Sequence, residues 1–317
     1  MKYILSLLLV AMFFAACQHT HQPTETSDSP NYKIAYNVLV DEANDNYEVF
    51  VMNLDGSEKT NISNSPGVDW VYYAFKDKVY FVSDRDTAHR NYFLWEMKVD
   101  GSAKRRVSDL RLEDCYFSSR HNGQEFIVRP HRSIDSVLYI IDHTGNLVQK
   151  VDPGMVYCND LYFSPDGNRI VFRGADKKSK REEGFLDELY IMDLQTNERH
   201  KITTYPKEDT TAEWYAYHAG PPIWNPVTDL ISYPSKQKGI HSIFAVKPDG
   251  SGLKQITTDG FDAIWHTWSA DGKYLVTDGT GTTGDNYDIY LLPMDDTVIT
   301  RLTTDTLYEQ GPVFVEF

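Results

Sequence analysis

Residues 162–203 read YFSPDGNRIVFRGADKKSKREEGFLDELYIMDLQTNERHKIT and hold one complete copy of a pattern that recurs along the chain. An aromatic pair is followed by a Ser-Pro-Asp-Gly turn, an apolar segment, a polar loop and a second apolar segment at Leu189-Tyr190-Ile191-Met192. A tight turn then leads to a short segment that ends in a hydroxyl residue, Thr203. Apolar residues recur in these segments with a period of two, which indicates strands and excludes helical repeats.

The pattern occurs six times from Tyr32 onward. Its turn positions at Gly56, Gly101, Gly145, Asn197 and Gly250 are 45, 44, 52 and 53 residues apart. Repeats of this length are typical of four-stranded propeller blades. The aromatic strand of each unit is centred on one residue, namely Tyr72, Phe117, Phe163, Trp224, Trp268 or Phe314. We therefore predict an all-β fold, a six-bladed β-propeller over residues 32–317.

The two ends of the repeat region predict how the ring closes. The first strand, at Ile34-Ala35-Tyr36, has no aromatic strand before it, and the last aromatic strand, at Pro312-Val313-Phe314, has no strand after it. Together the termini would close one blade, which removes an open sheet edge.

The repeat resembles the PD40 (WD40-like) repeat of the TolB-like propellers. Residues 162–203 match that repeat nearly throughout, residues 268–303 match it as well, and Val82-Ser83-Asp84-Arg85-Asp86 is the usual family phrase after the first strand. The resemblance covers residues 32–317 and implies the fold. It is less specific about function, because binding proteins and enzyme domains share this propeller. The resemblance to this family implies that the partners are envelope proteins.

The first residues resemble a bacterial lipoprotein signal. Lys2 precedes an apolar run that is too short to span a bilayer, and Ala15-Ala16-Cys17 follows at once. We predict a signal peptide over residues 1–16, a lipid on Cys17 and a flexible tether over residues 17–31. A plain secretory signal with a chance cysteine is the alternative. Because the residue after the cysteine is not Asp, the resemblance implies a periplasmic protein of the cell envelope, anchored at the outer membrane.

Composition limits the partners. The chain has 31 Lys and Arg against 46 Asp and Glu, a formal net charge of −15. This balance argues against nucleic acid, whose phosphates need basic residues. Two further cysteines, Cys115 and Cys158, are either buried thiols or a disulfide of an oxidising compartment.

Three carboxylates share one register. Asp69, Asp114 and Asp160 each stand three positions before the central aromatic residue of an inner strand. Inner strands of a propeller begin near the central channel, so these side chains are candidates for a metal site. Clustered carboxylates suit a hard cation such as Ca²⁺. Alternatively, each Asp caps backbone N–H groups where its strand starts.

Aromatic and imidazole side chains concentrate in the fifth and sixth units. The ligand-binding candidates there are Tyr217, His218, Trp265, His266 and Trp268. Aromatic platforms of this kind suit carbohydrate or peptide ligands. The alternative is aromatic core packing with histidines at the surface. The segment 204–222 is longer than the equivalent segments elsewhere, and long loops on a rigid scaffold often carry function.

A second resemblance concerns the sixth unit. His266-Thr267-Trp268-Ser269 followed by Val276-Thr277-Asp278-Gly279 is similar to oligogalacturonate lyases, which are propellers with a His-rich metal site. Gln310 matches the glutamine of that family, and no histidine stands beside it. This resemblance implies a metal-dependent glycan-active enzyme that uses Ca²⁺ or Mn²⁺.

Other catalytic signatures do not occur in the sequence. It contains no G-x-S-x-G nucleophile elbow, no H-E-x-x-H and no phosphate-binding loop with Lys-Ser/Thr. We therefore expect a monomeric binding or scaffold module for an envelope protein or oligosaccharide at the channel face. The alternative is the metal-dependent enzyme.

Overall fold

The computed structural model describes residues 31–317 except 179, 181–185, 285 and 297. The predicted signal peptide, Cys17 and the tether up to residue 30 lie outside the described residues. Residues Asn31–Phe317 form one compact unit. No helix in the described part of the chain is long and apolar enough to cross a membrane.

The alternating apolar segments form six four-stranded antiparallel sheets. Blade one begins with β1 (Tyr32–Asp41), β2 (Asn46–Asn53) and β3 (Thr60–Asn61), with a 3-10 turn at Glu42–Asn44. Blade two contains β4 (Asp69–Phe75), β5 (Lys78–Ser83), β6 (Phe93–Lys98) and β7 (Arg105–Arg106). Blade three contains β8 (Ser118–Arg120), β9 (Glu125–Val128), β10 (Leu138–Asp142) and β11 (Leu147–Val151).

The second half of the ring repeats this order from the channel outward. Blade four contains β12 (Tyr157–Phe163), β13 (Arg169–Ala175), β14 (Glu188–Asp193) and β15 (Arg199–Lys201). Blade five contains β16 (Ile223–Trp224), β17 (Ile231–Gln237), β18 (Ile240–Val246) and β19 (Lys254–Gln255). Blade six contains β20 (His266–Trp268), β21 (Tyr274–Gly279), β22 (Asp288–Pro293) and β23 (Thr300–Arg301).

The last strand, β24 (Tyr308–Glu316), returns to blade one as its inner strand. It pairs antiparallel with β1, and Phe314 lies opposite Ile34. The rings of Tyr32 and Phe314 also meet edge-on, with centroids 5.6 Å apart. The predicted six-bladed propeller, closed by its two termini, is therefore confirmed.

The hydroxyl residue at the end of each repeat has a structural role. The side-chain oxygens of Ser63, Thr203, Thr257 and Thr303 accept hydrogen bonds at 2.8–3.1 Å from backbone amides of the third strand of the blade, counted from the channel. Each hydroxyl replaces a ladder bond where the outer strand diverges from its neighbour. For this reason the outer strands end one or two residues earlier than the sequence predicts, as β3 does at Asn61.

The inner strand of blade three also differs from the prediction. The sequence places it at Cys115-Tyr116-Phe117, whereas β8 begins at Ser118. The earlier residues bond to the neighbouring blade instead of to their own. The Leu161 amide donates to the Tyr116 carbonyl at 3.1 Å, and the Asp160 amide lies 3.1 Å from Cys115 Sγ. This segment therefore links blades three and four beside the channel.

Candidate functional site

The end of the channel at which the inner strands begin, here the upper mouth, holds a cavity of about 430 Å³. All six inner strands, or the segments leading into them, contribute side chains. Its aromatic lining consists of Tyr47, Trp70, Tyr72, Tyr116, Tyr217, Trp265 and Tyr308. Its polar and charged lining consists of Arg90, Asp114, Asn159, Asp160, Arg173 and Gln310. The upper mouth thus combines aromatic rings with charges of both signs.

The aromatic rings of the upper mouth contact one another across blades. The Trp70 ring lies 4.5 Å from Tyr47 and meets Trp265 edge-on at 5.9 Å, measured between centroids. Tyr72 and Tyr116 lie 4.6 Å apart. The indole nitrogen of Trp70 is buried and has no hydrogen-bond partner among the described residues. This wall is therefore rigid.

A buried arginine connects the mouth to blade four. Arg173 on β13 donates to Asp160 at 2.8 Å, to Asp187 at 3.0 Å and to the Tyr157 hydroxyl at 3.0 Å. Its guanidinium also lies 4.9 Å above the ring of Tyr217. Although burial disfavours the charged form, the two carboxylates and the tyrosines raise the pKa of Arg173. Arg173 is therefore a fixed cation in the channel wall.

A bulge in β12 places the first of these carboxylates. The pairing register between β12 and β13 shifts between Asn159 and Leu161, and Asp160 has a φ of 56°. A non-glycine residue in this left-handed region is uncommon, and bulges often redirect a side chain next to a functional site. Here the bulge turns Asp160 toward Arg173.

Asp114 is the carboxylate of the upper mouth that faces channel water. Its side chain is exposed to solvent, yet the channel walls surround it. The Tyr72 hydroxyl donates a hydrogen bond to its Oδ1. Desolvation by the walls raises the pKa of Asp114, and the bond from Tyr72 opposes that rise. The same desolvation, with the nearby carboxylate, holds the pKa of Tyr72 well above its usual value. Asp114 is thus accessible to a ligand.

A second arginine stands at the rim. Arg90 makes a two-pronged ion pair with Asp45, with nitrogen–oxygen distances of 2.7 and 2.8 Å. His89 bridges Asp45 at 3.0 Å and Asp84 at 3.4 Å. Forked pairs of this type fix both side chains in direction as well as in distance. The rim at blades one and two is therefore held by opposed charges.

A fully buried carboxyl supports the mouth from behind. Asp278 on β21 accepts hydrogen bonds from the backbone amides of Trp265 at 2.9 Å and Gly311 at 2.7 Å. It thereby fixes the backbone on which Trp265 and Gln310 stand. Burial raises the pKa of Asp278 to about 8, despite the two amide donors that lower it.

The structure brings together five of the residues that the sequence singles out as candidates. Tyr217, Trp265, Gln310, Asp114 and Asp160 all line the upper mouth. Asp114 and Asp160 follow from the register of the inner strands, Tyr217 and Trp265 from the aromatic cluster of the fifth and sixth units. Gln310 follows from the resemblance to oligogalacturonate lyases. The sequence did not single out Arg90, Arg173 or Tyr308, which come from loops, a second strand and the closing strand.

The remaining candidates lie elsewhere. His266 is buried, with its Nε2 2.7 Å from Ser232 Oγ, and burial lowers its pKa to about 4. Trp268 donates to the same Ser232 oxygen at 2.8 Å and lines the opposite end of the channel. His218 stacks on Tyr205 with ring centroids 3.9 Å apart, and burial lowers its pKa.

The third aligned carboxylate, Asp69, is buried and ion-paired with Arg85. Asp114 and Asp160 therefore lie in the upper mouth without it. Across the described ranges, no group of three or more His, Cys, Asp or Glu side chains is arranged to hold a metal ion. Cys115 and Cys158 are buried free thiols.

The end of the channel at which the inner strands finish, here the lower mouth, has a different lining. Its cavity of about 350 Å³ is bounded mainly by the rings of Tyr73, Phe75, Tyr162, Phe163, Trp224, Trp268 and Phe314. The charged residues at this end are Lys76, Arg120 and Glu316. Arg120 pairs with Glu125 at 2.8 Å and lies 5.1 Å from the Phe163 ring centre. The lower mouth is thus mainly an extension of the apolar core.

Solved structures confirm that this is a TolB-like propeller. TolB from Acinetobacter baumannii superposes with a TM-score of 0.67 at 13% identity, over 89% of this chain and 66% of that one. Putative TolB from Agrobacterium tumefaciens gives 0.60 at 15% identity, over 91% of this chain and 99% of that one. No family model matches the sequence. No curated protein matches it either.

The propeller fold also occurs in a protein named as an enzyme. Hydrazine synthase of Kuenenia stuttgartiensis superposes with a TM-score of 0.66 at 13% identity, over 90% of this chain and 47% of that one. At this level of identity the likeness concerns the fold alone. Function must therefore be argued from the mouth residues.

Proposed function

We propose that this chain is a binding module of the cell envelope that takes a segment of a protein partner into the upper mouth. The observation that carries the proposal is the convergence of Tyr and Trp rings from five of the six blades on one open cavity with fixed charges. Tyr, Trp and Arg are enriched among the residues that contribute most to binding at protein interfaces, and Tyr and Trp supply large contact areas with few rotatable bonds. A cavity of about 430 Å³ accommodates one or two side chains of such a segment.

The rim provides further contact area. Trp214 and Tyr215 precede the mouth residue Tyr217, and 47% and 59% of their surfaces are exposed. Their rings meet edge-on at 5.6 Å. Exposed aromatic pairs beside a cavity are typical of interaction surfaces. We propose that this pair holds the partner's backbone outside the cavity.

The proposed location follows from the N-terminal pattern and the fold. We propose that Cys17 carries the lipid, that the propeller works in the periplasm, and that it is held at the outer membrane as a monomer. The net charge of −15 supports a solvated propeller rather than one adsorbed on an anionic membrane surface.

A photo-crosslinking experiment in cells tests the binding role. p-Benzoylphenylalanine replaces the rim residue Tyr215 in one strain and the exposed Val227 in a control strain. We expect a protein adduct from position 215 only, and we expect it to be lost when Trp265→Ala removes a wall of the mouth. Identical adducts from both positions, or an adduct from 215 that persists in Trp265→Ala, would contradict the proposal.

An activity assay on the purified protein tests the enzymatic alternative. Pectic fragments are added with Mn²⁺ or Ca²⁺, and the ultraviolet absorbance of unsaturated uronides is followed. Absorbance that grows with enzyme concentration would replace the binding proposal by a glycan-active enzyme. His266 is buried against Ser232 and does not line the mouth, so we propose only the binding function.

A further inference from the structure

We infer that the upper mouth binds a cationic side chain, Lys or Arg, of the partner segment against its aromatic wall and beside the carboxylate of Asp114. This inference rests on the proposed function and specifies the chemistry of the partner.

The first support is a carboxylate that makes no ion pair among the described residues, because the nearby guanidinium of Arg90 is bonded to Asp45 instead. Asp160 is buried and paired with Arg173, whereas Asp114 is open to the channel and contacts the neutral hydroxyl of Tyr72 through Oδ1. In the described part of the chain, no donor contacts Oδ2 of Asp114. A carboxylate in a confined, partly desolvated channel binds an incoming cation more strongly than one on an open surface.

The second support is the ring geometry. Tyr72 and Tyr116 lie 4.6 Å apart beside Asp114, and Trp70 lies 6.3 Å from Tyr72. The faces of tyrosine and tryptophan rings attract ammonium and guanidinium groups. This wall already holds one such group, because the guanidinium of Arg173 lies 4.9 Å above Tyr217.

The third support is the charge balance. Apart from the buried carboxyl of Asp278, which burial keeps protonated, four carboxylates stand in or directly behind the mouth with three guanidinium groups: Asp45, Asp114, Asp160 and Asp187 with Arg90, Arg129 and Arg173. The net charge of the whole chain has the same negative sign. A negative, low-dielectric cleft concentrates cations and repels acidic ligands.

Short peptides test the inference directly. Acetyl-Gly-Gly-Lys-Gly-Gly-amide, its Arg counterpart and an isosteric norleucine control are titrated into the purified full chain by calorimetry. We expect the two cationic peptides to bind with affinities that fall as NaCl is added, and the norleucine peptide to bind about tenfold more weakly or not at all. Equal binding of all three peptides would overturn the inference.

A pair of matched substitutions locates the site. Asp114→Asn should weaken binding of the lysine peptide about tenfold, whereas Asp109→Asn removes the same charge from an exposed residue outside the mouth and should leave it unchanged. Thermal melting of each variant shows that both are folded. Equal effects of the two substitutions would mean that the net charge of the protein, and not the site at Asp114, attracts the peptide.

Crosslinking separates this inference from the proposed function. The adduct from position 215 could be lost in Trp265→Ala but undiminished in Asp114→Asn. That result would support the proposed binding function and overturn the inference of a cation site at Asp114. If wild-type cells give no adduct, the proposed binding function fails, and the peptide titrations still decide whether the cation site at Asp114 exists. Displacement of the lysine peptide by a neutral oligosaccharide would place a glycan in the mouth and overturn the inference.

Discussion

The same six strands build both ends of the channel, yet the two mouths differ in chemistry. At the lower mouth the strands run into turns of the repeat, such as Ser164–Gly167 and Ser269–Gly272, and the lining is mainly apolar rings. At the upper mouth the strands follow segments of unequal length, such as 204–222, and the lining carries acids, arginines and tyrosines. The repeated turn fixes the fold at one end, and the varied segments leave the other end free to specialise.

The difference is also energetic. Rings at the lower mouth stabilise the fold by burial, whereas buried ion pairs at the upper mouth carry a desolvation cost that their attraction barely offsets. Charges placed at such a cost point to a role in binding. Substitutions at the two mouths should therefore separate stability from binding.

Arg173→Met should have the largest effect on stability. It leaves Asp160 and Asp187 buried without a cation, which costs about 3–5 kcal/mol of unfolding free energy. The loss should shrink as the pH is lowered, because the two carboxylates can then take up protons. Urea denaturation at several pH values measures both effects.

The control for this substitution is Arg120→Met at the lower mouth. Arg120 pairs with Glu125, which is partly exposed and can be solvated when the arginine is removed. We expect a loss of about 1 kcal/mol or less. If both substitutions destabilise the protein equally, the two mouths do not differ in the way proposed.

Ring truncations at the two mouths should show the next largest contrast. Phe163→Ala at the lower mouth removes a ring that is 2% exposed and should cost about 3–4 kcal/mol. Trp265→Ala at the upper mouth removes a half-buried ring and should cost less, while abolishing the adduct from position 215. Thermal and urea unfolding, run beside crosslinking, compare the two variants. A Trp265→Ala protein that is the less stable of the two would contradict the assignment.

The fold could be predicted from sequence because each blade repeats the same local signals. Alternation marked the strands, Ser164-Pro165-Asp166-Gly167 marked a turn, and the lone terminal strands marked the closure between Ile34 and Phe314. Strand boundaries differ from the prediction where a contact between blades overrides the pattern. The segment Cys115-Tyr116-Phe117 has strand-like residues but bonds to blade four.

The site could be predicted only in part, because register along the inner strands is a local property and contacts between strands are not. Asp114 and Asp160 share one register, and the structure places both in the upper mouth. The register could not show that Asp69 turns away to Arg85. One feature of the sequence could have identified Arg173. It is a charged residue directly after the apolar run Ile170-Val171-Phe172, within a strand that is buried.

The buried Asp278, behind the upper mouth, makes the stability of the fold depend on pH. Its pKa is raised to about 8 in the folded protein by burial, from 3.8 when solvated. The folded state therefore holds the proton in a range where the unfolded state has lost it, so stability falls as the pH rises from about 4 to 8. Relative to wild type, Asp278→Asn should gain about 1.4 kcal/mol per pH unit between pH 5 and 7.

Comparison with wild type isolates this effect from His266, whose lowered pKa makes stability fall in the opposite direction, on acidification from about 6.5 to 4. Asp271→Asn in a lower-mouth turn is the matched control. Despite partial burial, hydrogen bonds from Ser269 and Lys273 lower the pKa of Asp271, so it stays ionised in this range. Unfolding free energies at half-unit pH steps provide the measurement. Parallel pH profiles for Asp278→Asn and wild type would show that Asp278 is ionised in the fold.

Asp114→Asn should have the smallest effect on stability. The amide keeps an oxygen that accepts the bond from the Tyr72 hydroxyl, and the side chain is already open to channel water, so we expect a change below about 1 kcal/mol. The same substitution is expected to give the largest loss in binding of the lysine peptide. A residue whose substitution spares the fold and weakens binding of the lysine peptide serves recognition rather than stability. If Asp114→Asn unfolds as readily as Arg173→Met, then its carboxylate is a structural partner of Tyr72, and the two mouths differ in packing alone.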